Sequence, residues 1–420
     1  MYTESRVLNS RIINIIMRLA MLFSKALFIF FAAKYLELSE LGIYSLIGAS
    51  IAYAIYVLGL DFYTFTTRTI IGMDKSRADE VIVELLRFCI LSYLFFFLPI
   101  LSVFLFDIIP WTFSVVFFLI LFCEFISQEL TRVLIAIEKT LTATFILLVR
   151  TSAWCYFLVV LFIIDERTRT VNWVLFSWFV SSFISVVLAF YVLRFVPWKK
   201  FLFQPIPFRW IFNGLAVAFP MLISTLALRG LFTLDKLSVE YLGTLSMLGV
   251  YSVYIAVCNA LLSFMDAAVI QFKYPLLVKS VNLRDQTSYI REFKKFTKQV
   301  LFFLAIGVVA FIVLANIVFS YLGKPEYIEE IRVLWWLILV HVILILSFIP
   351  HYALFALRKD RVLMLSHILG LSVFVIALTF VKYNDVMMGV ALSLVAGVSS
   401  IFLVKSFVFH NYFRKINSLF

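Results

Sequence analysis

Hydrophobic residues in this chain fall into twelve long runs separated by short polar breaks. The runs cover residues 12–35, 41–60, 85–106, 111–136, 141–164, 171–193, 211–234, 244–267, 300–322, 332–357, 362–381 and 387–409. A helix needs about 20 apolar residues to cross a bilayer, so each run predicts one membrane-spanning helix. The breaks are small: LELSE separates the first two runs, DIIP the third and fourth, and YNDV the last two. Two gaps are longer. Arg194 to Arg209 is basic and contains Pro197, Pro205 and Pro207, while Gln271 to Gln299 contains the segment YIREFKKFTKQ. The second reads as a cytoplasmic loop, or as an amphipathic helix lying against anionic headgroups.

Polar positions inside the runs are sparse and patterned. In the first run Arg11, Arg18 and Lys25 are seven apart and share one helical face with Asn14. Arg11 and Lys34 lie near its ends, where long side chains reach the interfaces. Arg18 and Lys25 do not, and a cation at a helix centre costs roughly 2.5–3.5 kcal/mol. Either a polar cavity or an ion pair with another helix must offset that. In the fourth run Glu124, Ser127, Gln128, Thr131 and Arg132 follow helical spacing, with Glu129 to one side. That face predicts an inward orientation, for substrate contact or for gluing helices together. Asp61, Thr64 and Arg68 stand where the second run leaves the membrane. In the seventh run Thr225, Arg229 and Thr233 share a face, Asp235 and Lys236 follow, and Pro220 predicts a kink. Asn259, Ser263 and Asp266 share a face of the eighth. His341 and His351 in the tenth read as helix-to-helix hydrogen-bonding groups, and Arg150 as a side chain reaching the inner interface.

Composition agrees with the pattern. The 420 residues are 64% hydrophobic and 18% aromatic, with a mean hydropathy of +1.06. This excludes a soluble domain and predicts an all-α polytopic membrane protein. The net charge of +12 reflects topology rather than nucleic-acid binding, because the cations are sorted by side. With the N-terminus inside, twenty-three Lys and Arg, Lys405 among them, fall in the cytoplasmic set, against five outside: Arg167, Arg169, Lys236, Lys324 and Lys382. Both termini are therefore expected in the cytoplasm. Cys89, Cys123, Cys155 and Cys258 lie within apolar runs without metal or redox spacing. The first run is long and lacks a small-residue cleavage site, so it is expected to remain as a helix.

The chain also repeats itself. LSELGIYSL begins at Leu38 and LSMLGVYSV at Leu245, and each opens the second helix of its half. The offset predicts a duplicated six-helix unit, with both copies running in the same direction. The expected division is residues 1–198, a cytoplasmic linker at 199–210, and 211–420, with two six-helix bundles around a central cavity.

There is no P-loop, GxSxG, HExxH or zinc spacing. No enzyme activity, cofactor or metal is expected, and transport would be secondary. Asp61, Glu124, Glu129 and Asp266 are the intramembrane carboxylates available for ion coupling. The first helix of each half instead carries cations, Arg18 and Lys25 and then Arg229. That sign suits an anionic, phosphate-bearing substrate, whereas an exporter of cationic drugs needs acids deep in its cavity.

The polar first helix, the LGIYSL that opens the second, GLDFYTFTTR at that helix's end and the half-length duplication together resemble the polysaccharide-repeat flippases of the multidrug/oligosaccharidyl-lipid/polysaccharide exporter superfamily. The likeness is greatest to bacterial O-antigen flippases and spans the whole chain in length and helix count. It implies export of an undecaprenyl-pyrophosphate-linked oligosaccharide from the inner to the outer leaflet of the bacterial inner membrane by alternating access. It further implies membrane lipids as surroundings, polysaccharide polymerase and chain-length machinery as partners, and no nucleic acid. Arg18, Lys25, Glu124, Gln128, Arg132 and Arg229 become candidate cavity residues, and Asp61, Glu129 and Asp266 candidates for ion coupling. A multidrug antiporter of the same superfamily is the alternative.

Overall fold

Helix dominates from the first described residue to the last. The computed structural model describes residues 2–71, 73–198, 208–381 and 385–414. Among them, twelve helices are long and apolar enough to cross a membrane. They are α1 Ile12–Tyr35, α2 Leu38–Gly59, α3 Arg77–Leu105, α4 Trp111–Ala136, α5 Thr140–Ile164, α6 Val171–Val192, α7 Phe208–Leu242, α8 Leu245–Asn282, α9 Gln286–Leu322, α10 Ile331–Ala356, α11 Asp360–Leu378 and α12 Val386–Arg414. The all-α expectation and the count of spans hold. Inside a bilayer only such helices satisfy every backbone group within their own segment.

Two compact units result, Met1–Leu222 and Ile223–Phe420. Their division falls within α7, just past Pro220. Most of the residues 199–210 expected to link the halves lie outside the described residues. In the first unit α4 packs against α2 and α6, and α5 against α1. In the second, α12 packs against both α10 and α11, and α10 against α8 and α9.

One expected loop is absent. The stretch from Gln271 to Gln299 is helical apart from a short turn, because α8 continues to Asn282 and α9 begins at Gln286. Tyr289 and Phe296 are fully buried against Met265, Leu277 and Ile345. The apolar positions of this basic segment thus continue the core, while Arg291, Lys294, Lys295 and Lys298 are exposed.

The repeated segments open α2 and α8 as expected, but the two helices end differently. After Gly59 the chain turns through Leu60 and Asp61 with φ of 47° and 49° and restarts as a short helix, Tyr63–Ile70. The equivalent acid in the second unit, Asp266, instead begins a π-helical turn, Asp266–Ile270, and the helix continues. A second π turn, Val149–Ala153, interrupts α5. Such single turns insert one residue into the helical ladder and are frequent at functional sites.

Candidate functional site

In the first unit the acidic stripe of α4 is buried, as its spacing predicts, and its acids are matched by basic and polar groups. Glu124 accepts hydrogen bonds at Oε1 from Trp178 Nε1 (2.9 Å) and Ser182 Oγ (2.6 Å), both on α6. Its Oε2 lies 3.6 Å from Arg150 Nε, and Arg150 also donates to the Glu124 backbone carbonyl. Arg150 is 6% exposed and sits in the π turn of α5. The expectation that it reaches an interface is therefore corrected. The π turn and the carboxylate hold it inside, where an unpaired cation would be costly. Ser185 and Ser127 continue the α4–α6 contact with a 2.8 Å hydrogen bond.

One turn further along, Glu129 is ion-paired with Arg132, whose guanidinium lies 3.7 Å from the centre of the Tyr63 ring. Asp61 is buried at the α2 break, two residues beyond Gly59, whose Cβ position is 3.5 Å from Glu129 Oε1. Asp61, Tyr63, Glu129 and Arg132 thus form one polar group. Gln128 is half-buried beside it. An aromatic shell encloses the Glu124 group. Trp154 and Trp178 stack with ring centres 5.9 Å apart, and Tyr44, from the repeated segment, meets both edge-on.

Arg18 and Lys25 belong to neither group. Both are exposed on α1. Arg18 Nε donates to Asn14 Oδ1 at 3.1 Å, which joins two residues expected on one face. In the second unit Arg229 is exposed on α7, while Asp266 is partly buried and accepts a hydrogen bond from Gln271 Nε2 at 2.9 Å.

The second unit also holds buried polar contacts, of which sequence reasoning missed the one at Lys405. Asp235 is fully buried, contacts Lys236 Nζ at 3.2 Å and accepts a hydrogen bond from Tyr251 Oη at 3.2 Å. Tyr251 is the repeat counterpart of Tyr44, so each copy of the repeated tyrosine lies by a buried acid. His341 bonds the Leu337 carbonyl and Asn259 Oδ1, the helix-to-helix role its position suggested. Lys405, counted among the cytoplasmic cations, is 2% exposed inside the helical unit. Lys405 is thus not in a loop: α12 runs on to Arg414, and the Lys405 side chain packs inside the helical unit. Its Nζ is 3.0 Å from His367 Nε2. The signal was a lysine within the last apolar run and a histidine within the eleventh.

No nucleophile–base arrangement for covalent chemistry emerges from these contacts. Among the described residues no group of three or more His, Cys, Asp or Glu is placed to hold a metal ion. What the arrangement offers is buried, compensated polar groups in each unit and exposed cations on membrane-length helices.

No protein-family model matches the chain. No curated protein matches it either. Solved structures do. An inward-facing multidrug resistance MATE family transporter of the MOP superfamily matches with a TM-score of 0.73 at 16% identity, over 96% of this chain and 98% of that one. The fold is that of the MATE transporters. An outward-facing multidrug resistance MATE family transporter matches with a TM-score of 0.57 at 14% identity, over 96% and 95%. A Vibrio cholerae MATE transporter matches with a TM-score of 0.59 at 14% identity, over 97% and 98%.

Proposed function

We propose that the chain is a flippase that moves an undecaprenyl-pyrophosphate-linked oligosaccharide, such as an O-antigen repeat unit, from the inner to the outer leaflet of the bacterial inner membrane by alternating access. The observation that supports this most is the sorting of charge. The buried acids of the spans are matched within their own units: Glu124 with Arg150, Glu129 with Arg132, Asp235 with Lys236. The cations Arg18, Lys25 and Arg229 are instead exposed on helices of membrane-spanning length. Pyrophosphate and acidic sugars answer that charge. In this reading Arg18 and Lys25 in the first unit, and Arg229 in the second, are each candidates for contact with the anionic headgroup, and Gln128 and the Glu129–Arg132 pair with Asp61 are polar candidates in the first unit. Asp61, Glu129 and Asp266 remain the proposed coupling carboxylates.

Complementation in a bacterium lacking its own repeat-unit flippase tests the reading. The parent chain should restore surface polysaccharide and abolish inner-leaflet accumulation of lipid-linked sugar. Arg18→Ala, Lys25→Ala and Arg229→Ala should insert normally and fail. A second reading, multidrug export, is favoured by the fold shared with multidrug resistance transporters. Drug resistance conferred without surface sugar would decide for it.

A further inference from the structure

We propose that Lys405, His367 and His351 form a proton-binding site in the second unit that holds a single exchangeable positive charge. Lys405 on α12 and His367 on α11 are 2% and 4% exposed. An ammonium has donors and no acceptor, so Lys405 Nζ donates to His367 Nε2 across their 3.0 Å contact. That leaves the proton of the neutral ring on Nδ1, which lies 2.9 Å from Ser224 Oγ and 3.2 Å from the Ser224 carbonyl oxygen on α7. The His351 ring on α10 stacks parallel to that of His367, with centres 5.9 Å apart and planes 11° apart. His351 Nδ1 is buried and has no hydrogen-bond partner.

Close helix packing builds this cluster. Gly370 on α11 and Gly397 on α12 sit against each other so tightly that a Cβ on Gly397 would stand 2.9 Å from the Gly370 carbonyl oxygen. Small residues at such a crossing let two helices approach, and His367 and Lys405 lie about one and two turns away along them.

The site differs from the ion pairs described above in one respect. Buried Arg150 and the partly buried Arg132 and Lys236 each have a carboxylate; among the described residues Lys405 is hydrogen-bonded to an imidazole instead. The other acidic, basic and histidine side chains on the four helices that meet here are Arg209, Arg229, Asp235, Lys236 and Glu240 on α7, Arg332 and His341 on α10, Asp360 and Arg361 on α11, and His410 and Arg414 on α12. None of them is bonded to or paired with the three bases. With one proton the cluster carries one positive charge, shared along the Lys405–His367 hydrogen bond. A second would place two cations 3.0 Å apart without a counter-ion. With none, the whole cluster is neutral, which suits its apolar surroundings. The cluster therefore alternates between zero and one charge, as a carrier driven by a proton gradient requires. Only that use of the proton rests on the transport reading.

The chain contains four histidines, so a protein labelled with ¹⁵N at His and Lys gives readable nuclear magnetic resonance spectra without any substrate. The expected result is that the His367 ring and Lys405 Nζ signals shift together, with one midpoint between about pH 5 and 8. Lys405→Arg keeps the cation permanently and should abolish the His367 transition. Lys405→Met should let His367 titrate alone, at a displaced midpoint. Signals of His367 and Lys405 that stay constant from about pH 5 to 9, or a transition in Lys405→Arg that matches the parent, would overturn the proposal. Should Lys405→Met not fold, the charge-retaining variant still decides. Because no oligosaccharide is present, a negative result leaves the complementation outcome untouched, and the reverse holds.

Discussion

Arg150 Nε lies 3.6 Å from Glu124 Oε2, both side chains almost fully removed from solvent. The pair joins the π turn of α5 to the middle of α4, and Trp178 and Ser182 complete the carboxylate's hydrogen bonding from α6. Three helices of the first unit therefore meet at one carboxyl group. Removing one member of a buried pair strands the other's charge, at a cost of about 3–5 kcal/mol. Glu124→Gln alone should destabilise the detergent-solubilised protein by that order, read as a lower thermal midpoint. Glu124→Gln with Arg150→Met, which removes both charges at similar volume, should recover most of the loss. A double variant no more stable than the single one would show that the contact does not carry the energy assigned to it.

Two glycines give opposite expectations. A Cβ on Gly397 would stand 2.9 Å from the Gly370 carbonyl oxygen and 3.0 Å from Phe374 Cβ, and backbone atoms cannot yield as a side-chain tip does. Gly397→Ala should destabilise by about 1–3 kcal/mol, the usual cost of overpacking, and should disturb the His367 resonance nearby. Gly48, inside α2, has nothing within 4 Å of its Cβ position. Gly48→Ala should stabilise by roughly 0.5–1 kcal/mol through helix propensity alone. Thermal melts of the two variants side by side check the sign of each.

The twelve spans were legible because bilayer thickness imposes a length that hydropathy reveals without tertiary knowledge. The inward face of α4 was legible too, since Glu124 and Arg132 obey helical spacing and could not face lipid. Their partners were not. Spacing along α4 places Glu124 and Arg132 on one stripe, yet Glu124 pairs with Arg150 and Arg132 with Glu129. The choice depends on a π turn in α5, which rotates Arg150 inward and has no periodic signature. Lys405 was obscured for another reason. Counting cations by side treats one near the end of an apolar run as a loop residue, and only the His367 partner on a different helix shows otherwise. The basic segment before α9 looked like a loop because its charges outnumber its apolar residues, although Tyr289 and Phe296 alone suffice to bury one face.

The turn between α8 and α9 offers a pH-dependent test outside the membrane. Asp285 stands at the N-cap of α9, where Oδ1 accepts hydrogen bonds from the Ser288 backbone N–H at 2.9 Å and from Thr287 Oγ1 at 2.7 Å. The Ser288 N–H bond first, and then the Thr287 hydroxyl, hold this carboxyl below the usual aspartate range. A carboxylate bonded to the first backbone donors of a helix satisfies a group the helix cannot, and its charge complements the helix dipole. A group whose pKa is depressed by folding stabilises the folded state fully above its unfolded value, and that contribution fades as pH falls through the folded value. Asp285→Ala should therefore lower the melting midpoint at pH 7. The gap from the parent should persist down to about pH 4, the ordinary aspartate value, and close below it as the parent's carboxyl is protonated. Melting curves of the two proteins from pH 7 to about pH 3 make the comparison, and a gap that does not narrow in acid would mean that the charge of Asp285 is not what fastens the start of α9.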